Sequence, residues 1–212
     1  MEITWYGYSC FRITERGHTT VLTDPYLPAL DLAQRSLKAD LVTVSHAEAA
    51  GQVDDIRGDK YVISAPGEYE IGELFVTGLA LHVHVADSDQ VLRNIAYHFE
   101  YPNGLNFLHL GVLHQLPDQS IIEQFGEVHA LLLPIGGAAL SGDQLADLIS
   151  MIEPNYVLPM HAPDLSEEAF DPALDGFLKA MGVASIECQD SLRVTTAGLS
   201  EQTQVLRLLP AT

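Results

Sequence analysis

Short apolar runs separated by turn residues dominate the first half of the chain. "EITWYG", "CFRIT" and "TVLTDP" are rich in β-branched and aromatic residues and are interrupted by Gly7-Tyr8-Ser9 and Arg16-Gly17-His18, the pattern of short strands. A polar segment around Asp31 to Ala39 reads as helix or loop, and "ADLVTVS" and "YVISA" follow as strands. Next come "PGEYEIG", which reads as a turn, and "LFVTGLALHVHV", whose alternation predicts one strand with His82 and His84 on the same face. "NIAYHFEY" and "LNFLHLG" flank Pro102-Asn103-Gly104 as a hairpin.

The period changes in the second half. "LPDQSIIEQFG" predicts a short helix stopped by Gly126, and "ALLLPIGG" is a continuous apolar run, as in a strand buried on both faces. In "SGDQLADLISMIEP" the pair Ser141 and Gln144 forms a capping box, Leu145, Leu148, Ile149 and Ile152 recur at helical spacing, and Pro154 ends the run. "YVLPMHA" predicts another buried strand opening into a loop at His161, followed by a helix around Glu167 to Met181 and short terminal strands. Strands first and strand–helix alternation later place helices outside two sheets. No linker, repeat or low-complexity segment divides the chain, so residues 1–212 are expected to form one domain.

Charge narrows the partners. Ten basic against 29 acidic residues give a formal charge of −19, which repels phosphate backbones and anionic lipid. Neither nucleic acid nor a membrane is expected as a partner, whereas a small molecule is compatible; the oligomeric state is left open. Cys10 and Cys188 lack any CxxC spacing, so neither a disulfide framework nor a thiolate zinc cage is indicated. "MEITWYGYSC" has no basic region followed by an apolar run, and the expectation is a cytoplasmic protein.

Seven blocks in order, "ITWYGYSCFRI", "VLTDPYLP", "LVTVSH", "APGEYEIGELFVTG", "FLHLGVLH", "ALLLPIGG" and "YVLPMH", resemble the metallo-β-lactamase superfamily. The likeness extends from residue 2 to about residue 163 and is greatest to the bacterial metal-dependent hydrolases that include the ascorbate-6-phosphate lactonases. It implies an α/β (α+β) four-layer αββα sandwich with its site along one edge, between the sheets. It also implies one or two metals, usually zinc, which polarise substrate and activate water.

The family's metal loop is histidine-x-histidine-x-aspartate-histidine. Laid on "VSHAEAAG", its first histidine is His46, the second falls on Glu48, the aspartate on Ala50 and the third histidine on Gly51. Alanine and glycine bring no ligating side chain. The bridging aspartate falls on Val112, with His114 two residues on; the intermediate histidine falls on His82 or His84, and the last on His161. Asp24 matches an aspartate that the family places near the site, and Tyr8 stands where a histidine is usual. The resemblance thus carries a hydrolase-like fold whose two-metal site is largely lost, leaving a non-catalytic protein or one of altered function. The alternative is a hydrolase of small esters, lactones or phosphorylated metabolites, with one divalent metal, zinc first, on His46, Glu48 and His84 or His82. The plainer reading of His46 is a strand-end imidazole bonded to a backbone carbonyl. His98, His109 and His129 read as structural, and Cys10 as buried.

Overall fold

The structure is a computed structural model that describes residues 1–26, 36–84, 91–136, 140–161 and 167–211. Residues 31–35 of the expected Asp31 to Ala39 segment lie outside the described residues, as do the side chains of His84 and His161.

Two sheets carry the fold. The first uses β1 (Glu2–Gly7), β2 (Cys10–Thr14), β3 (Val21–Thr23), β4 (Leu41–Thr43), β5 (Tyr61–Ile63) and, at its other edge, β15 (Ser191–Arg193), in the order β15-β1-β2-β3-β4-β5. The second combines β6 (Gly67–Ile71), β7 (Leu74–Ala80), β10 (Ile95–Glu100), β11 (Asn106–His109), β12 (Ala130–Ile135), β13 (Tyr156–His161) and β16 (Gln204–Val205) in the order β16-β13-β12-β11-β10-β7-β6. Two small ribbons pair β8 (Val83–His84) with β9 (Val91–Leu92), and β14 (Cys188–Gln189) with β17 (Arg207–Leu208).

The period of two sorts the first sheet's side chains. Ile3, Trp5, Phe11, Ile13, Val21 and Leu41 join Tyr97, Phe99 and Phe107 of the second sheet in the main core. Their neighbours Cys10, Leu22 and Val42 point the other way, into a smaller cluster with Leu37, Ala49 and Ile56. All six residues of β12 are buried, as its unbroken apolar run predicts. The α-helices among the described residues are α1 (Gln119–Ile122), α2 (Gly142–Ile152) and α3 (Glu167–Ala180). The α2 capping box is present in full, with Gln144 N–H donating to Ser141 Oγ and Ser141 N–H donating to Gln144 Oε1. The buried face of α2 is Leu145, Leu148, Ile149 and Ile152, and α3 packs against α2, β12 and β13. This is the αββα sandwich, with its described helical layer on the second sheet.

Two expectations are corrected. "PGEYEIG" is chiefly the strand β6, paired antiparallel with β7, rather than a turn. "LFVTGLALHVHV" is not one strand, because β7 ends at Ala80, where its partner β10 begins with Ile95. The ladder is interrupted there rather than ended: Leu81 N–H bonds Asn94 O at 2.7 Å, pairing resumes between β8 and β9, and His82 sits in the break, not on a strand face beside His84. No helix among the described residues is long and apolar enough to cross a membrane.

Candidate functional site

Parallel pairing of β3 with β4 puts Thr23 beside Thr43, so the residues after each strand emerge together at one end of the sandwich. Asp24 and Ser45-His46 are those residues. Asp24 adopts φ +40°, a conformation that Asp tolerates better than most residues, and its N–H bonds Thr43 O at 2.8 Å. This turn drives the carboxylate inward, where it is fully buried.

A buried carboxylate needs donors, and Ser45 supplies two. Its backbone N–H reaches Asp24 Oδ1 at 2.7 Å and its hydroxyl reaches Oδ2 at 2.6 Å. The Ser45 oxygen also lies 2.8 Å from His46 Nδ1. A carboxylate only accepts, so the hydroxyl proton goes to Asp24 and the imidazole Nδ1–H donates to Ser45 Oγ. His46 is therefore anchored by a side chain rather than by the expected backbone carbonyl, with Nε2 left as its lone-pair nitrogen.

The second sheet closes the site from the other side. His109, at the end of β11, is fully buried, donates through Nε2 to Ser9 O at 3.1 Å and lies 3.7 Å from Asp24 Oδ2. Burial pushes its pKa below the usual histidine value, which keeps the ring neutral, and its Nδ1 has no hydrogen-bond partner. Ile95 N–H donates to Ser45 O at 2.9 Å, and the Tyr97 hydroxyl donates to Val44 O at 3.0 Å. A polar seam thus joins the two sheets at this end.

The loop after β11 holds Val112, onto which the resemblance lays the bridging aspartate. Asn94 holds it with both ends of its amide, donating to Leu110 O at 2.8 Å and accepting from Val112 N–H at 2.9 Å. Gly111, at φ +61°, must be glycine here, because a Cβ would come 2.2 Å from Asn94 Oδ1 and 2.6 Å from Ser45 Cβ. At Gly51, onto which the resemblance lays the third loop histidine, a Cβ would come 2.7 Å from Cδ2 of Tyr26, so the tyrosine ring covers that position.

These residues do not fit a two-metal centre. Ala50, Gly51 and Val112 offer no donor, and the space beside Gly51 holds Tyr26. Glu48 is exposed on the short Ala47–Ala50 3-10 turn that His46 caps; at three residues per turn, positions two apart project to different sides. Among the described residues no three His, Cys, Asp or Glu side chains gather closely enough to hold an ion.

The remaining predicted residues disperse. His161 ends β13 and His84 lies in β8. Tyr8 is half-buried in the β1–β2 turn at φ +48°, its carbonyl accepting from Trp5 Nε1–H at 2.8 Å. His82 and His114 meet at a separate pocket nearby. Residue patterns had not singled out Ser45, Asn94 or Tyr26. The signal for Ser45 was its place directly before His46 at a strand end, whereas nothing local marked Asn94 or Tyr26.

The family described as beta-lactamase superfamily domain matches residues 2–161. A UPF0173 protein of Pyrococcus furiosus is 32% identical over 79% of this chain and 86% of its own length. A UPF0173 metal-dependent hydrolase of Koribacter versatilis is 25% identical over 76% of this chain and 84% of its own. Among solved structures, a candidate Zn-dependent hydrolase of the metallo-β-lactamase superfamily from Thermotoga maritima superposes with a TM-score of 0.76 at 26% identity, covering 98% of this chain and 99% of the other.

Proposed function

Since this chain belongs to the metallo-β-lactamase superfamily and resembles its UPF0173 metal-dependent hydrolases, we propose that it keeps the hydrolase scaffold but has exchanged two-metal chemistry for an altered function, the binding of a small molecule. The observation that carries this reading is the Tyr26 ring over Gly51, 2.7 Å from where any side chain there would begin. Loss of a ligand alone leaves a gap, whereas an aromatic ring in the gap commits the space to packing. Fold does not fix function, and the altered residues are those on which the family's chemistry rests. With 29 acidic against 10 basic residues, the small molecule is neither a polynucleotide nor a strongly anionic metabolite.

A hydrolase with one divalent ion, zinc first, is the second reading, acting on small esters, lactones or phosphorylated metabolites. What favours it is the anchoring of His46 Nδ1 by Ser45 at 2.8 Å, the kind of outer partner that a ligating imidazole has when Nε2 binds metal. Its donors would be His46 with Glu48 and with His84 or His82.

Elemental mass spectrometry of untagged protein, incubated with excess zinc and dialysed, separates the two. Well under one equivalent of bound metal in the wild type is expected. A full equivalent of zinc, iron or manganese, lost in both His46→Ala and Glu48→Ala, would overturn the first reading in favour of the second.

A further inference from the structure

Two histidines are buried away from the candidate site. His98 projects from β10 on the opposite face to Tyr97 and Phe99 and is 5% exposed; His129 directly precedes β12 and is 4% exposed. They meet where the crossover that joins β11 to β12 ends. His98 Nε2 lies 3.2 Å from Glu127 O, and a carbonyl only accepts, so the ring donates its Nε2–H. His129 has the reverse role. At the start of β11, Asn106 N–H donates to His129 Nδ1 at 3.0 Å, and His129 N–H donates back to Asn106 O at 2.9 Å.

A backbone N–H cannot accept, so the bond to Nδ1 requires a neutral His129 with its proton on Nε2. A second proton would occupy Nδ1 and set two donors face to face, and the bond must open. His98 differs, because an added proton falls on Nδ1, 3.7 Å from Glu100 Oε1, and leaves the bond to Glu127 O in place. Burial nevertheless holds the His98 pKa below the usual histidine value. The carboxylates facing the two rings are Glu100 on β10 and exposed Glu127, whose Oε1 lies 3.9 Å from His129 Nε2 and supplies a counter-charge. Asn106 of β11 brings no charge, and neither does the Tyr156 N–H of β13, which donates to His129 O at 2.9 Å.

The crossover fastened here starts at the candidate site, where Asn94 holds Val112 N–H at 2.9 Å, and α1 lies between the two ends. We propose that the Asn106–His129 bond is an acid-sensitive latch, in which protonation of His129 frees the end of the crossover and loosens the loop that carries Val112. This is a regulation of the small-molecule site proposed above and rests on that reading for its purpose. The latch itself is read from the free protein. Its failure therefore leaves the binding proposal standing, and loss of the binding proposal leaves the latch.

The test is an NMR titration of the full chain from about pH 7.5 to about pH 5.5, across the histidine range, following imidazole nitrogens and backbone amides. The His129 ring should pass from the Nε2–H tautomer to the doubly protonated form. At the same midpoint the Asn106 amide proton should move upfield as it loses its acceptor, and the Glu127 and Val112 amides should shift with it. His129→Asn, whose Oδ1 can accept in place of Nδ1 but does not titrate, should abolish all three amide transitions. His98→Gln, which keeps a donor toward Glu127 O, should leave them in place. The wild-type nitrogen signals decide alone if His129→Asn does not fold. A His129 ring that stays neutral, an Asn106 transition that survives His129→Asn or vanishes in His98→Gln, or a Val112 amide that does not share the midpoint would each overturn the proposal.

Discussion

Ser45 does more at the candidate site than its neighbours in sequence suggest. It gives two of its hydrogen-bonding groups to Asp24 and uses the same oxygen to hold His46. Ser45→Ala removes the hydroxyl and leaves Oδ2 of a fully buried carboxylate without that donor, a loss of about 1–3 kcal/mol that urea denaturation would register. Nitrogen NMR of the imidazole gives a second readout specific to positioning. His46 should be the Nδ1–H tautomer in the wild type, and Ser45→Ala should raise the Nε2–H form; an unchanged tautomer would mean that Ser45 does not orient the ring. His46 was singled out in "LVTVSH" by the resemblance. Its support was not, because Asp24 lies 21 positions from Ser45 and only the pairing of β3 with β4 makes them neighbours.

Elements followed their local patterns where burial on one face decided them. The α2 helix has its cap, its apolar stripe and its stop where the residues place them, with Glu153 closing it in a left-handed conformation just before Pro154. Ser141→Ala should cost about 1 kcal/mol and lower Tm by about 2–4 °C for a chain of this size. Calorimetry that found no change would mean that packing against α3 alone holds the helix. Where a strand depends on its partner, the local pattern was insufficient. Alternation runs on past Ala80 to His82 and His84, but the ladder with β10 breaks after Ala80 and resumes only between β8 and β9, which leaves His82 outside both strands. That interruption sends His82 to the same pocket as His114.

Across the molecule, buried histidines tie stability to pH. Burial lowers the pKa of both His98 and His109, so the unfolded chain takes up protons below about pH 6.5 while the folded chain resists them. Stability should be flat above that value. As pH falls from it toward the lowered folded values, stability should drop by up to about 1.4 kcal/mol per pH unit for each ring. Urea denaturation between pH 7.5 and 5.5 measures the slope, and His109→Gln should reduce it by about one proton. A slope that His109→Gln leaves unchanged would place the uptake elsewhere.

Alternation and helical spacing, which are local, determined the two sheets, the buried β12 strand and the helices, because each element must bury one face whatever lies opposite. The order of the seven blocks determined the family in the same way. Residue identity alone also removed donors at Ala50, Gly51 and Val112. Only the tertiary structure decided what stands there instead. The Tyr26 ring over Gly51, the Asn94 amide on Val112 and the approach of His109 to Ser9 across 100 residues are contacts between loops from different strands. No periodicity encodes such contacts; they exist because the two sheets bring their strand ends together.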